Sequence, residues 1–328
     1  MADLAGPGST TVIDGQATSA SEQTELAYRT DFGSCFLASA EAALGSRQLA
    51  HWRGKVDLIL TSPPFPLNRK KRYGNLSGDA YLTWLASFAP IFKRYLKPTG
   101  SIVMEVGNAW EPGQPVMSTL SLRALLHFLD EGKLRLCQQF IAHNPARLPS
   151  PIQWVNKERI RVKDSFTHVW WMSPSTRPKA DNRRVPKDYS KAMIRLLERQ
   201  SYNSGKRPSD HSIGTKSFLK DNGGAIPSSV LEFPNTLSVD PYLTYCREHG
   251  YKPHPARMQR ELAAFFIKFL TEPGDVVLDP FAGSNTTGAA AESLGRRWVA
   301  MEANEEYVNA SFGRFLAPPD HDRQLSFA

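Results

Sequence analysis

Apolar residues along most of this chain fall into two alternating patterns. Short, nearly unbroken runs over residues 56–60, 101–106, 275–279 and 298–301 have the length and β-branched content of strands buried on both faces. Longer stretches with a helical period lie between them. Residues 79–96 present Leu82, Leu85, Ala86, Ala89 and Tyr95 to one side and end at Lys97-Pro98-Thr99-Gly100. Residues 258–270 carry Leu262, Phe265, Phe266, Phe269 and Leu270 as a stripe and stop at Pro273-Gly274. Further helices are predicted over 36–44, 120–130, 187–199 and 286–294, further strands over 134–142 and 169–172, and a short element over 28–35. Strands alternating with helices of this length imply a mostly parallel α/β sheet covered on both faces.

Two regions break the pattern. Residues 1–24 are rich in Ser, Thr, Gly and Ala without a hydrophobic period, which predicts a disordered tail. Residues 174–251 combine Pro, Ser, Gly, Asn and basic residues with few periodic apolar runs. Long insertions without their own core are uncommon unless functional, so this stretch reads as a small recognition lobe. The expected division is a tail over 1–27, half of a sheet domain over 28–173, the lobe over 174–251, the other half over 252–316, and a tail over 317–328.

Two loops at strand ends carry candidate chemistry. The run 56–60 leads into Thr61-Ser62-Pro63-Pro64-Phe65. Successive prolines fix φ at Pro63 and Pro64 and push Ser62 and Pro63 toward extended conformations, so the groups here point in set directions. The Ser62 hydroxyl and the Pro63 carbonyl then form two aimed acceptors beside the Phe65 ring, which suits the exocyclic amino group of a nucleobase. On these five residues alone, an ordinary proline-rich turn is an equal reading. The second loop, Pro280-Phe281-Ala282-Gly283-Ser284-Asn285, follows a strand ending in Asp279 and opens a helix at Thr286-Thr287. That arrangement lets a ligand approach backbone and meet a helix N-terminus. Glu302 ends the next strand at the spacing from Gly283 at which Rossmann-like folds place the acid that binds ribose hydroxyls. A GxGxxG motif is absent, so a nucleoside without pyrophosphate fits better than NAD. A nucleoside site at one crossover and an amino-acceptor loop at another point to S-adenosylmethionine and an amino-methyltransferase.

Charge adds a partner. The formal net charge is +8, and because residues 1–28 hold four acids and no Lys or Arg, the rest of the chain carries +12. Residues 176–220 contain twelve Lys or Arg against four Asp or Glu, and Arg69-Lys70-Lys71-Arg72 follows the proline loop directly. Such clusters can be solvated surface, but beside a candidate base pocket they favour a polyanion partner. Arg183, Arg184, Lys206 and Arg207 are the candidate contacts from the lobe. Cys35, Cys137 and Cys246 lie far apart, so neither a disulfide framework nor a metal site is expected. With no signal peptide and no run of ~18 apolar residues, a cytoplasmic, monomeric protein without membrane partners is expected.

From about residue 28 to residue 316, the sequence resembles the DNA amino-methyltransferases of the β class, in which the catalytic motif precedes the recognition region and the cofactor motif comes last. The stretches that carry the resemblance include Ser62-Pro63-Pro64-Phe65, Leu148-Pro149-Ser150-Pro151-Ile152, Arg161-Val162-Lys163-Asp164, His254-Pro255-Ala256-Arg257 and Gly283-Ser284-Asn285-Thr286-Thr287-Gly288. The resemblance implies a Rossmann-like S-adenosylmethionine-dependent methyltransferase sheet with helices on both faces and an inserted target-recognition lobe. It puts Ser62, Pro63, Pro64 and Phe65 in the catalytic motif. The cofactor loop would comprise Asp279, Phe281, Gly283, Ser284, Asn285 and Thr286, with Glu302 on the ribose. His254, Pro255 and Ala256 would help enclose the methionine end of S-adenosyl-L-methionine. Where such enzymes commonly have Gly-Asp near the adenine, this chain has Gly33-Ser34, with Asp31 as a conceivable substitute. Ser before Pro-Pro is typical of the cytosine-N4 enzymes and implies a modification enzyme of a restriction system, with a cognate endonuclease as a possible partner. The alternatives are an adenine-N6 enzyme, a non-catalytic DNA-binding relative, or an amino-methyltransferase acting on RNA or protein.

Overall fold

The computed structural model of the protein describes residues 24–65, 78–206, 208–216, 218–233 and 240–316. In chain order the first elements are β1 (Glu25–Arg29), β2 (Gly33–Leu37), α1 (Ala40–Gly45), β3 (Val56–Thr61), α2 (Gly78–Tyr95), β4 (Leu96–Gly107), α3 (Leu120–Gly132), β5 (Arg135–His143) and β6 (Phe166–Ser173). Next come α4 (Lys191–Arg199), the two-residue strands β7 (Gly205–Lys206) and β8 (Ser212–Ile213), β9 (Val230–Glu232) and α5 (Pro241–His249). The last are α6 (Arg260–Leu270), β10 (Val276–Asp279), α7 (Thr286–Ser293), β11 (Arg297–Glu302) and α8 (Glu305–Ser311). Among the described residues, nine strands form one sheet in the order β1-β2-β11-β10-β3-β4-β6-β5-β9, and β7 and β8 pair separately.

Central β3 has every residue buried, which is why its sequence shows no polar alternation. One face packs α1, α2 and α3 through residues such as Leu44, Leu85, Phe88, Phe92 and Phe128. The other packs α6 and α7 through Leu262, Phe265, Phe266 and Ala290. At the amino-terminal edge, buried Asp57 takes Lys97 Nζ at 2.8 Å on both carboxylate oxygens and Val276 N at 3.0 Å, tying β3 to β10.

The structure departs from the sequence reading in three places. Residues 36–44 are not one helix: β2 runs to Leu37, and α1 starts at Ala40 with Ser39 accepting from Ala42 N at 3.2 Å. Pairing of β2 with both β1 and β11 overrides local helical preference there. The helix expected from residue 187 starts at Lys191, because Lys187 instead exchanges backbone bonds with Ala225 at 2.9 and 2.7 Å. Third, β6 inserts between β4 and β5 and runs antiparallel to both. The remaining sheet is parallel apart from the β1–β2 pair.

Residues 174–233 first run back along the amino-terminal edge, where Lys179 N meets Thr99 O at 3.0 Å and Asp181 N meets Phe269 O at 2.9 Å. They reach the sheet again as β9, on β5. Helix α5 buries Tyr242 and Cys246 against Ala310 of α8. Among the described residues, no helix is long and apolar enough to cross a membrane.

Gly33 faces Trp298 so closely that a Cβ would lie 2.2 to 2.5 Å from the indole ring. That ring is buried, stacked on Phe315 at 5.0 Å, and held by its Nε1 donating to Glu292 at 2.7 Å. Gly33→Ala is therefore expected to destabilise the protein by about 1–3 kcal/mol, and urea unfolding of the two chains checks it through the midpoint.

Candidate active site

The carboxyl ends of β3, β4, β10 and β11 meet at one edge of the sheet, and both loops singled out in the sequence start there. One carboxyl group joins them. Thr61 at the end of β3 donates to Asp279 Oδ1 at 2.7 Å, and the same oxygen takes Phe281 N at 3.1 Å. Burial pushes the Asp279 carboxyl up to about 6, against hydrogen bonds from Thr61, Thr287 and Phe281 that pull it down.

Ser62 donates its hydroxyl to the Glu105 carbonyl at 3.4 Å. A hydroxyl used in this way keeps its lone pairs as acceptors. Pro63 is buried, and Phe65 rests on Gly107 at the end of β4, where a Cβ would come within 2.8 Å of the ring. Sequence reasoning overlooked Glu105. Its carboxylate accepts from Thr167 Oγ1 at 2.9 Å, and burial raises its affinity for a proton against the pull of Thr167 and Arg147. The available signal was a lone acid inside the apolar run 101–106, read there only as strand.

In the second loop, Gly283 adopts φ +52°, and its N–H donates to Glu302 Oε2 at 2.9 Å. Asn304 N donates to the other carboxylate oxygen at 2.9 Å. Burial raises the proton affinity of Glu302, and these two backbone N–H groups oppose that. The His254 ring stands 3.1 Å from where a Gly283 Cβ would lie, so this glycine lets two distant stretches of chain close on each other. The His254 ring is held by an Nδ1 contact with Ala256 O at 2.5 Å and by edge packing on Tyr307, and exposed Pro255 and Ala256 complete the turn. Phe281 packs against Trp84 and Phe88.

Ser284, Asn285 and Thr286 are buried and turn their side chains toward protein. Arg314 donates to Ser284 O at 2.6 Å and to Ser284 Oγ at 3.1 Å, and Thr286 Oγ1 lies 3.2 Å from that same hydroxyl. Asn285, itself left-handed, caps α7 by accepting from Gly288 N at 3.1 Å and donates to Tyr28 at 2.9 Å. These side chains hold the loop's shape, and its backbone is what a ligand could meet.

Other sequence-predicted residues lie elsewhere. Asp31 and Ser34 stand at the amino-terminal end of β2, whereas Glu302 pairs with Leu37 at the opposite end. Arg183 is exposed and bonded to Asp181, and Arg184 donates to Thr271 O and Glu272 at the amino-terminal edge, away from Ser62. Lys206 pairs with Asp210 at 2.9 Å on the small hairpin. Arg69, Lys70, Lys71, Arg72 and Arg207 lie outside the described residues.

A profile of the N6/N4 DNA methylase family matches residues 56–312, from the start of β3 to beyond β11. The chain belongs to this family. This N6/N4 DNA methylase is 45% identical over 292 residues to the type II methyltransferase M.PvuII of Proteus hauseri, across 88% of this chain and 85% of that one. It is 26% identical to M.BglII of Bacillus subtilis, over 82% of this chain and 66% of the relative. The solved structure of the PvuII DNA methyltransferase, named as cytosine-N4-specific, aligns with a TM-score of 0.71 and 38% identity over 89% of each chain. The Thermus thermophilus protein TTHA0409, solved with S-adenosyl-L-methionine, shares the fold, with a TM-score of 0.51 and 20% identity over 84% of this methylase and 90% of that chain.

Two expectations follow from the geometry of the N6/N4 DNA methylase. The native state holds the Asp279 proton up to about pH 6, whereas an unfolded aspartate ionises near 4. Ionisation therefore costs native stability as pH rises through this window, by about 3 kcal/mol. The difference in unfolding free energy between wild type and Asp279→Asn should shift against wild type by about 2 kcal/mol of that between pH 4 and pH 7. Gly107→Ala puts a methyl group against the Phe65 ring. It should slow methyl transfer to DNA roughly 10- to 100-fold while the melting temperature changes little, as initial rates and calorimetry would reveal.

Proposed function

We propose that this N6/N4 DNA methylase transfers a methyl group from S-adenosyl-L-methionine to the N4 amino group of a cytosine flipped out of duplex DNA. The observation that carries the reading is the end of β3, where the Ser62 hydroxyl donates to the Glu105 carbonyl at 3.4 Å and the Phe65 ring is seated on Gly107. Its support among relatives is M.PvuII, whose solved counterpart is named as cytosine-N4-specific.

The second loop suits the cofactor. Glu302 has one backbone N–H on each carboxylate oxygen and further lone pairs on both, which fits a pair of ribose hydroxyls. Gly283 and the His254–Ala256 turn would bound the rest of the cofactor, which when bound supplies an electrophilic methyl on a sulfonium. The work of the chain's own residues is positional. Ser62 and the Pro63 carbonyl each accept one amino hydrogen, drawing the nitrogen lone pair out of ring conjugation, while Phe65 holds the base face. The target atom cannot be reached within a stacked duplex, so the base is extruded first.

On this reading the lobe over 174–251 selects the sequence, with Lys206 and Arg207 toward phosphates. Arg183 and Arg184 are left out because they stand at the amino-terminal edge of the sheet, where Asp181 N meets Phe269 O and Arg184 meets Thr271 O. The enzyme acts as a cytoplasmic monomer in a restriction-modification pair with an endonuclease of the same site. Duplex DNA methylated by the pure protein, digested to nucleosides and analysed by mass spectrometry, should yield N4-methylcytosine. Ser62→Ala should lower that yield about 10²-fold with cofactor affinity unchanged. N6-methyladenine as the sole product would replace the cytosine assignment with the adenine one.

A further inference from the structure

Between β5 and β6 the chain leaves the sheet over residues 144–165 and returns to the same edge. Asn144 N donates to Ser165 O at 2.8 Å and closes the base of this excursion. Inside it, Val155 N meets Pro151 O at 3.0 Å, Ile160 N meets Trp154 O at 3.0 Å and Asp164 N meets Ser150 O at 2.9 Å. The excursion thus has a defined shape of its own. It is also tied to the active site. Asn108, the residue after the Gly107 on which Phe65 rests, donates to Asp164 Oδ1 at 2.8 Å and to Phe166 O at 3.2 Å. Arg161 also ties the excursion to the segment after β4, through Pro115 O at 3.0 Å.

The outer surface of this ordered loop is unusual. Val162 is 86% exposed, Leu148 81% and Ile152 62%. Val162 lies two residues from the Asp164 anchor, within about 7 Å of it. Around these aliphatic groups stand Arg147, Lys157, Arg159, Arg161 and Lys163, against the single acid Glu158 over residues 147–163. Three of the cations are engaged by carbonyls, Arg147 with Phe166, Arg161 with Pro115 and Lys163 with Pro145. Lys157 and Arg159 are exposed. Aliphatic side chains held out among cations suit a partner that is polyanionic outside and apolar within. A second copy of this chain would bring cations against cations. A DNA duplex opened at one base offers phosphates and a vacated stack together, and the ties to Asn108 put the loop beside the ring that would hold the extruded base.

We propose that residues 144–165 form a wedge that enters the duplex beside the target. Leu148 and Val162 fill the stack where the cytosine leaves it, and Lys157 and Arg159 hold the flanking phosphates. This rests on the duplex-DNA methyltransferase reading above and extends it to how the base is kept out.

The test uses the full chain and a duplex bearing the site located by modified-base sequencing, with the target cytosine either paired with guanine or opposite an abasic position. An abasic partner lowers the cost of extrusion. The double variant Leu148→Ala/Val162→Ala should lose at least tenfold in kcat/KM on the paired duplex and stay within about twofold of wild type on the abasic one. Val162→Ser alone should shift the same ratio in the same direction. Lys157→Gln/Arg159→Gln should flatten the dependence of duplex affinity on salt. Equal losses on both duplexes, or no loss on the paired one, would overturn the wedge while leaving the methyltransferase reading intact. So would a change of oligomeric state by light scattering with the ratio unmoved. Wild type that modifies cytosine in neither duplex would overturn both.

Discussion

The hydrogen bond from Thr61 to Asp279 joins the two strands whose ends lead into the candidate site loops, although these residues are far apart in the chain. Everything built at this edge depends on the tips of β3 and β10 staying in register, because the Ser62 loop leaves one and the Gly283 loop leaves the other. A carboxyl in this position is costly to bury, and three donors offset the cost by converging on it. Two of the three belong to the loops or strand being aligned, so the group that is expensive to bury also sets the loop starts. The opposite edge repeats the device, with buried Asp57 bridging Lys97 and Val276.

A second constraint is the division between side chains that shape a loop and groups left to face a ligand. Ser284, Asn285 and Thr286 look like ligand-binding residues by type, yet their polar atoms go to Arg314, Gly288, Tyr28 and one another. A tight turn with a left-handed glycine and a left-handed asparagine needs such internal bonds to stay ordered. What is left free to meet a ligand is then the loop backbone, beside a Glu302 carboxylate already oriented by two N–H groups.

Much of this was legible in sequence where local pattern and tertiary demand agree. The runs of β3 and β10 and the stripe of α6 were read correctly, because burial on both faces and helical periodicity leave direct marks on residue choice. The break at residues 36–44 was not, since the apolar stretch Cys35-Phe36-Leu37 suits a helix equally and only pairing with β1 and β11 decides it. Glu105 was invisible because one acid in a strand does not announce that its backbone carbonyl will receive the Ser62 hydroxyl. The place of Arg183 and Arg184 was hidden for a related reason: local charge excess says nothing about which edge of the sheet it faces. β6 ends at the amino-terminal edge, so the residues after it begin on the far side from Ser62.

The reversed strand has an architectural consequence. Had β6 run parallel to its neighbours, the link from β5 would have needed a covering crossover, and its free loops would have been split between the two edges. Reversal turns that link into a hairpin whose whole length projects from the working edge, with both stems fixed in the sheet. Such a hairpin can lengthen, shorten or change composition without altering the path of any other strand. Within this fold it is a place where new contacts to a long polymer could be acquired while the loop that ends in Glu302 is left untouched.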